Sequence, residues 1–201
     1  MNQAEIDSRC GEIQVVITEM YKDYYMLQEI EKYNQAIQSG KYACFSPVKE
    51  SLEHIAYLLK NDLGLSIWKI YYEGARFSNS LSRLTNELNK ERKSNGLPPI
   101  KRANKDTVAN RIEKPLQTMR NTVLAHLDLN RNNSSISIAD LKHVLDMALD
   151  DFNLICDALL VKNYKVSKIE LGKIEMHTAL GFGQMINGAL VDFCQEEQGN
   201  I

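Results

Sequence analysis

A short stretch of the chain, from Arg120 to His126, combines residue types that metal-free cleavage of RNA requires. Histidine exchanges protons near neutral pH, so His126 is suited to move a proton to or from a 2′-hydroxyl or a leaving oxygen. Arginine holds phosphate and stabilises the charge of a pentacoordinate transition state, which is the role open to Arg120. The amide of Asn121 can fix either group in place. These types and spacings indicate candidate phosphoryl-transfer chemistry at the end of one helix.

The same residues also have ordinary structural roles. His126 can stabilise the last carbonyl groups of a helix, and Arg120 can form a surface ion pair with Glu113 or Asp128. On a regular helix, six residues separate Arg120 and His126 by roughly 120° around the axis and by about 9 Å along it. A catalytic pair therefore needs a long reach by the arginine, a distorted helix, or a second copy of the helix in a dimer.

Other common active sites are missing from the sequence. There is no Walker loop, no GxGxxG after a strand, no GxSxG elbow and no HExxH motif. The four histidines are scattered, and the four cysteines lack zinc-ligand spacing, so free thiols packed as small hydrophobic groups are expected. The cysteines are Cys10, Cys44, Cys156 and Cys194. We expect no metal and no cofactor.

Charge is distributed unevenly along the 201 residues, although the formal net charge is only −2. The segment from Lys90 to Arg131, here called the basic segment, holds ten basic and four acidic residues and carries +6. All other residues together carry −8. A basic segment on an acidic chain is compatible with a partner that bears phosphate, and it is equally compatible with a solvated loop and helix face.

The elements that position these residues are predicted to be helices, because apolar residues recur at helical spacing along nearly the whole chain. The predicted helices run over about 6–39, from Ser46 to about 61, over about 65–77, from Ser80 to about 93, over about 106–127 across Pro115, from Ser137 to about 159, and within 166–193. Residues 94–99, with Gly and two Pro, form the clearest break. Four glycines weaken the last helix.

The sequence therefore predicts an all-α fold, an up-and-down bundle of four to six helices. Residues 1–165 are expected to form the bundle, and residues 166–201 a C-terminal helical appendage. No run of 18 apolar residues exists, and the N-terminal residues MNQAEIDSRCGE have neither the basic flank nor the apolar core of a secretory signal. We therefore expect a cytoplasmic protein with no membrane partner.

The motif Arg120-Asn121-x4-His126 resembles the signature of the HEPN superfamily (higher eukaryotes and prokaryotes nucleotide-binding domain). Members of that superfamily are all-α bundles that carry Arg-polar-x(3–5)-His on a core helix. The longer context resembles the AbiU-type abortive-infection branch, over roughly residues 6–161. That context consists of Ile67-Trp68-Lys69-Ile70, Ser80-Leu81-Ser82-Arg83-Leu84 and Ala125-His126-Leu127-Asp128.

The resemblance implies a metal-independent endoribonuclease of bacterial phage defence or of a toxin–antitoxin system, with RNA as its substrate. Two copies would join their motif helices in a basic cleft as a homodimer, and an antitoxin protein would be a further partner. Arg120 would bind the scissile phosphate, Asn121 would position it, and His126 would act as general base or acid. The products would be a 2′,3′-cyclic phosphate and a 5′-hydroxyl.

Four residues of the basic segment are the candidate RNA-binding residues: Lys101, Arg102, Lys105 and Lys114. In one respect the sequence departs from a common variant of the family pattern, which has a tyrosine two residues after the histidine. Asp128 stands there instead, and it either orients His126 or caps the helix.

Two other functions stay open at this point. A non-catalytic HEPN-like module could bind a nucleotide, an RNA or a protein without cleavage, and the acidic remainder of the chain favours this alternative. A structural helical protein is favoured by the seven-residue apolar repeat of the first helix, although such a stripe is often simply part of a core. RNA cleavage in the absence of divalent metal distinguishes the ribonuclease from both.

Overall fold

The computed structural model of the chain describes residues 2–39, 46–74, 80–125 and 136–198, and these residues form an all-α fold. The six helices are α1 (Gln3–Gln38), α2 (Ser46–Ile67), α3 (Leu81–Ser94), α4 (Thr107–Ala125), α5 (Ile138–Leu159) and α6 (Lys168–Gln198). The π-turn (Trp68–Tyr72) continues α2, and a short 3₁₀ turn (Lys162–Tyr164) follows α5. The prediction of an all-α fold is confirmed.

The predicted helix boundary between residues 61 and 65 is wrong, because α2 continues through Gly64 to Ile67 and then into the π-turn. Gly64 has a packing role: a Cβ atom there would lie 2.7 Å from the Sδ atom of Met119 on α4. The missing side chain lets α2 and α4 approach closely. Pro115, predicted to mark a kink or a restart, lies inside α4.

Two predicted helix starts are confirmed by their capping hydrogen bonds. The Oγ atom of Ser80 accepts a hydrogen bond from the backbone N–H of Arg83 at 3.2 Å, at the start of α3. At the start of α5, Ser137 Oγ accepts from the N–H of Asp140 at 3.0 Å, and the Asp140 carboxylate accepts from the N–H of Ser137 at 3.3 Å. This reciprocal pair is a capping box.

The chain divides into two units by the contacts among its residues. Unit 1 contains Met1–Met20 and Asn61–Ser167, and unit 2 contains Tyr21–Lys60 and Lys168–Ile201. The sequence predicted a separate appendage from residue 166, whereas the structure groups the segment from Lys168 with Tyr21–Lys60. The reason is a shared apolar core in unit 2, formed by Ile30, Leu52, Phe182 and Ile186.

The core of unit 1 is built around the π-turn. The π-turn contacts α3, α4 and α5, and four of its five residues are buried. Fully buried apolar side chains from every helix of the unit complete this core; they include Cys10, Ile13, Ile17, Leu63, Ile67, Leu81, Leu84, Ile112, Leu116, Leu141, Val144, Leu145, Phe152 and Ile155. Cys10 and Cys156 are buried free thiols, as predicted. Among the residues described, no helix carries a stretch apolar enough to cross a lipid bilayer.

A buried ion pair fixes the connection between α3 and α4. The Asp151 side chain on α5 is only 2% exposed, and its Oδ2 accepts a hydrogen bond from Arg102 Nε at 2.8 Å. Its Oδ1 accepts from the backbone N–H of Ala103 at 2.8 Å, and Arg102 Nη1 also donates to Ser82 Oγ at 2.7 Å. Both carboxylate oxygens are therefore satisfied, which offsets the cost of burying the charge.

Two side chains of α3 hold the same connection from the other side. The Asn89 amide donates to the carbonyl oxygen of Ile100 at 2.9 Å and accepts from its N–H at 2.7 Å. Arg92 Nε donates to the carbonyl oxygen of Pro98 at 2.7 Å. The segment 94–99, which the sequence marks as the clearest break between helices, is therefore held in place by hydrogen bonds from α3.

We expect Asp151→Ala to destabilise unit 1 by about 3–5 kcal/mol, because it leaves Arg102 as a buried charge without its partner. Urea unfolding followed by circular dichroism measures this change. Asp157→Ala is the matched control on α5: Asp157 pairs with Lys165 at 2.8 Å but is half exposed, so its loss should cost less than about 1 kcal/mol. Equal effects of the two substitutions would contradict the role assigned to Asp151.

A second ion-pair cluster links α1 to α3 and sets an acid dependence. Glu87 accepts from Arg83 Nε at 2.8 Å and pairs with Arg9, and these contacts lower the pKa of Glu87 below its ordinary value of 4.5. A lowered pKa in the folded state means that the stabilisation is present above pH 4.5 and is lost as the pH falls through the folded-state value.

We therefore expect Glu87→Gln to lower the Tm at pH 7 and to lower it much less at pH 3, where the wild-type carboxylate is also being protonated. Differential scanning fluorimetry at the two pH values measures both differences. Glu175→Gln, at an exposed position of α6, is the control and should leave the Tm nearly unchanged at both. A Glu87→Gln effect that is the same at both pH values would show that the charge of Glu87 contributes nothing.

Candidate functional site

The Arg120 guanidinium, near the end of α4, is held by an acid and an amide. Its Nη1 donates to Glu73 Oε1 at 3.3 Å, and its Nε and Nη2 donate to Asn121 Oδ1 at 3.2 and 2.9 Å. The side chains of Arg120 and Glu73 are 27% and 23% exposed, so the ion pair lies at the edge of the core. The sequence offered Glu113 and Asp128 as examples of ion-pair partners for Arg120, and Asp128 lies outside the described residues. Among the described residues, the acid that pairs with Arg120 is Glu73, 47 residues earlier.

An aromatic ring supports the same guanidinium. The Cζ atom of Arg120 lies 5.2 Å from the centroid of the Trp68 ring, a cation–π contact with a buried indole. Trp68 in turn stacks on Tyr72, with centroids 5.6 Å apart and ring planes 17° apart. On Tyr72 lies a second cation, Lys105, whose Nζ is 4.7 Å from the ring centroid. We call Arg120, Trp68, Tyr72 and Lys105 the cation–aromatic stack.

The π-turn provides the backbone geometry for this stack. The N–H of Glu73 donates to the carbonyl oxygen of Trp68 at 2.8 Å, which closes a turn wider than that of an α-helix. The chain then becomes extended at Glu73, immediately after the aromatic residues. Trp68 is the first residue of the π-turn, and Glu73 is the residue directly after it. Both contact Arg120. Such wide turns are frequent at functional sites.

Tyr72 is fixed at its polar end as well as on its ring. Its hydroxyl donates to the carbonyl oxygen of Ala109 on α4 at 2.6 Å, and burial raises the pKa of Tyr72 well above its ordinary value. The neighbouring Tyr71 meets the Tyr72 ring edge-on at 5.1 Å and carries Arg102 at 5.0 Å from its centroid. All three rings of the π-turn are thus covered by cations of the basic segment.

The structure divides the four predicted RNA-binding residues into two groups. Arg102 and Lys105 face inward: Arg102 pairs with Asp151, and Lys105 pairs with Glu113 at 2.9 Å. Lys101 and Lys114 lie exposed on the surface. Arg120 and Asn121 are brought together, whereas the predicted general base His126, like Asp128, lies outside the described residues.

Another histidine pairs with an acid at the opposite end of α4. His143 Nε2 contacts the Asp106 carboxylate, which also accepts a hydrogen bond from the N–H of Ala109 at 2.8 Å. The Ala109 hydrogen bond and the contact with His143 lower the pKa of Asp106. Arg120 lies 13 residues after Thr107, about 20 Å along the helix axis. Asp106 therefore caps the start of α4, His143 supports that cap from α5, and neither belongs to the Arg120 site of the same copy.

Sequence reasoning missed Glu73 and Trp68 as members of the site. Trp68 lies within the HEPN-like motif context, and no role was predicted for it. The one local signal for its part in the site is the cluster of three aromatic residues within Trp68–Tyr72. Glu73 had no local signal, because its pairing with Arg120 depends on packing between α4 and the π-turn. Within 2–39, 46–74, 80–125 and 136–198, no group of three His, Cys, Asp or Glu side chains is placed to hold a metal ion.

Comparison of the chain with family models, with curated proteins and with solved structures finds no match.

Trp68 is the only tryptophan of the chain, so its fluorescence reports directly on the Arg120 contact. We expect Arg120→Ala to shift the emission maximum to longer wavelength, because water replaces the guanidinium over the indole ring. Arg111→Ala is the matched control on α4, since Arg111 pairs with Asp140 and is largely exposed. If the emission spectra of the two variants are the same, the contact between Arg120 and Trp68 is wrong.

Proposed function

We propose that this protein is a metal-independent endoribonuclease in which Arg120, Asn121 and His126 carry the reaction. The observation that carries the proposal is the arrangement around Arg120: Glu73, Asn121 and the Trp68 ring hold a partly exposed guanidinium in one orientation. A pre-oriented cation stabilises developing charge without first reorganising, which is the largest single contribution in many active sites.

The hydrogen-bond geometry leaves Arg120 capacity for a phosphate. A guanidinium has five N–H donors, and three atoms, Nε, Nη1 and Nη2, each donate once to Glu73 or Asn121. Within the part of the chain that the structure describes, one further N–H on each terminal nitrogen is therefore available for phosphate oxygens. Arginine pairs with phosphate through such parallel hydrogen bonds, and the bond geometry adds specificity to the charge attraction.

In the proposed reaction, the 2′-oxygen of the substrate forms a bond to phosphorus while the bond from phosphorus to the 5′-oxygen breaks. Either neutral His126 takes the proton of the 2′-hydroxyl while water gives one to the leaving 5′-oxygen, or protonated His126 gives its proton to the 5′-oxygen while water takes the one from the 2′-hydroxyl. Arg120 neutralises the charge on the non-bridging oxygens. The products are a 2′,3′-cyclic phosphate and a 5′-hydroxyl. The role of His126 rests on its sequence spacing from Arg120.

The biological setting of the proposal follows from the resemblance to HEPN proteins of the AbiU type. It comprises a cytoplasmic homodimer whose two motif helices share a cleft, a function in phage defence or a toxin–antitoxin system, and an antitoxin protein as partner. A dimer also resolves the helical geometry, since residues six apart do not share one face of a single helix.

A non-catalytic binding module is the second candidate, and one observation favours it. The Arg120 guanidinium is already held by Asn121, Glu73 and the Trp68 ring, and a purely structural arginine is held in the same way. Such a module would bind RNA saturably without forming product.

The test is incubation of purified protein with total bacterial RNA in excess EDTA, followed by analysis of the RNA ends. We expect discrete cleavage by the wild type and a loss of rate of about 100-fold or more in His126→Ala and Arg120→Ala. Arg120→Lys keeps the charge but not the paired donors, so it should also be strongly impaired. Arg111→Ala should cleave within about twofold of the wild-type rate, because its ion pair is exposed.

Two outcomes contradict the ribonuclease proposal, and one control accompanies them. Cleavage that survives unchanged in every variant belongs to a contaminant or to another site, and the assignment of Arg120 and His126 then fails. Saturable RNA binding without product supports the non-catalytic module. Thermal unfolding of each variant shows whether a lost activity reflects a lost fold.

A further inference from the structure

The exposed face of α3 carries a groove that the candidate active site does not use. The groove has a volume of about 590 Å³ and is lined by Arg83, Asn86, Glu87, Asn89, Lys90 and Lys93. These residues recur at intervals of three and four, so they share one side of the helix. Three of the six are cations and one is an acid, and the groove is therefore positively charged.

The single acid of the groove is already neutralised. Glu87 pairs with both Arg83 and Arg9, whereas Lys90 and Lys93 make no ion pair within the residues that the structure describes. The formal charge of the whole chain is −2, so its overall field does not attract a polyanion. A local excess of unneutralised lysines is then the kind of surface on which a polyanion can be held.

The lip of the groove is rigid, because Asn89 is hydrogen-bonded to both backbone polar groups of Ile100. The next residue, Lys101, is exposed and is followed by Arg102, which Asp151 anchors. Lys101 is thus held between two fixed residues beside α3. Lys101 is therefore an exposed lysine in a fixed segment, and it lies outside the six residues that line the groove.

The groove begins close to the Arg120 site. At the N-terminus of α3, Ser80 Oγ donates to the carbonyl oxygen of Gly74 at 3.1 Å, and Gly74 follows the Glu73 that pairs with Arg120. Measured from Ser80 along the helix axis, Arg83, Lys90 and Lys93 stand about 5, 15 and 20 Å away. The cations therefore form a track that starts beside the candidate active site and leads away from it.

We propose that this groove binds the phosphate backbone of single-stranded RNA and guides the substrate to Arg120. This proposal rests on the proposed ribonuclease function, and it identifies the surface that would bind the RNA substrate. The lining has no aromatic ring on which a base could stack, so recognition is by charge and is independent of sequence. The helix face presents one row of cations, which suits a single strand.

The test measures binding of a fluorescently labelled 20-nucleotide oligouridylate by anisotropy, in EDTA, with the His126→Ala protein to prevent cleavage. The double variant Lys90→Glu/Lys93→Glu is compared with Lys168→Glu/Lys173→Glu, which changes the net charge equally at exposed lysines of α6. We expect the Kd to rise about tenfold or more in the first variant and less than about twofold in the second. For Lys90→Gln/Lys93→Gln, the slope of log K against log salt should fall by about 1.4, as for two lost phosphate contacts on a single strand.

The proposal that the groove binds RNA is contradicted if the Kd is unchanged in Lys90→Glu/Lys93→Glu. It is also contradicted if the Kd rises equally in both charge-reversal variants. Preferential binding of polyglutamate over the RNA also overturns it, because the groove would then suit an acidic peptide. Unchanged circular dichroism in the variants excludes loss of fold as the cause of weak binding.

The same variants separate this proposal from the ribonuclease proposal. If the wild type cleaves RNA and Lys90→Glu/Lys93→Glu cleaves it with the same KM, the proposal of RNA binding by the groove is wrong and the ribonuclease proposal is supported. If the wild type does not cleave but RNA binding depends on Lys90 and Lys93, the ribonuclease fails and the groove stands as an RNA-binding surface.

Discussion

The burial of the π-turn is the constraint on which the arrangement of unit 1 depends. Four large side chains on five consecutive residues must be covered, and a single helix face cannot cover them. The π-turn therefore contacts α3, α4 and α5 together. Of the polar groups on these rings, the Tyr72 hydroxyl donates to the carbonyl oxygen of Ala109, whereas the buried Trp68 Nε1 has no hydrogen-bond partner among the described residues. The Trp68 ring face is covered by Arg120.

Covering aromatic rings with cations creates a second requirement, because a partly buried cation needs an acid. Each of the three cations that cover these rings has one: Glu73 for Arg120, Asp151 for Arg102 and Glu113 for Lys105. The +6 charge that stands out in the sequence is therefore not one uniform patch. These three cations and Arg92 support the fold, and the exposed lysines, including Lys90, Lys93 and Lys101, face solvent.

Arg120 is one of the cations that support the fold, and this determines how the candidate site is built. The contacts that orient Arg120 are the same ones that cover Trp68 and end the π-turn, so the catalytic proposal and the stability of unit 1 involve the same residues. A guanidinium fixed in this way cannot adjust to its ligand. In the proposed ribonuclease, the substrate is therefore brought to Arg120 in a suitable position, and the groove on α3 is the surface proposed to do this.

The sequence by itself determined the all-α class, the helix starts at Ser80 and Ser137, and the adjacency of Arg120 and Asn121. Those features depend on periodicity and capping, which act within a few residues along the chain. Only the tertiary structure decided that α2 continues past Gly64, that residues from Lys168 share a core with Tyr21–Lys60, and that Glu73 and Trp68 hold Arg120. These outcomes depend on packing and charge pairing between segments far apart in sequence. A local sequence pattern does not identify such distant partners.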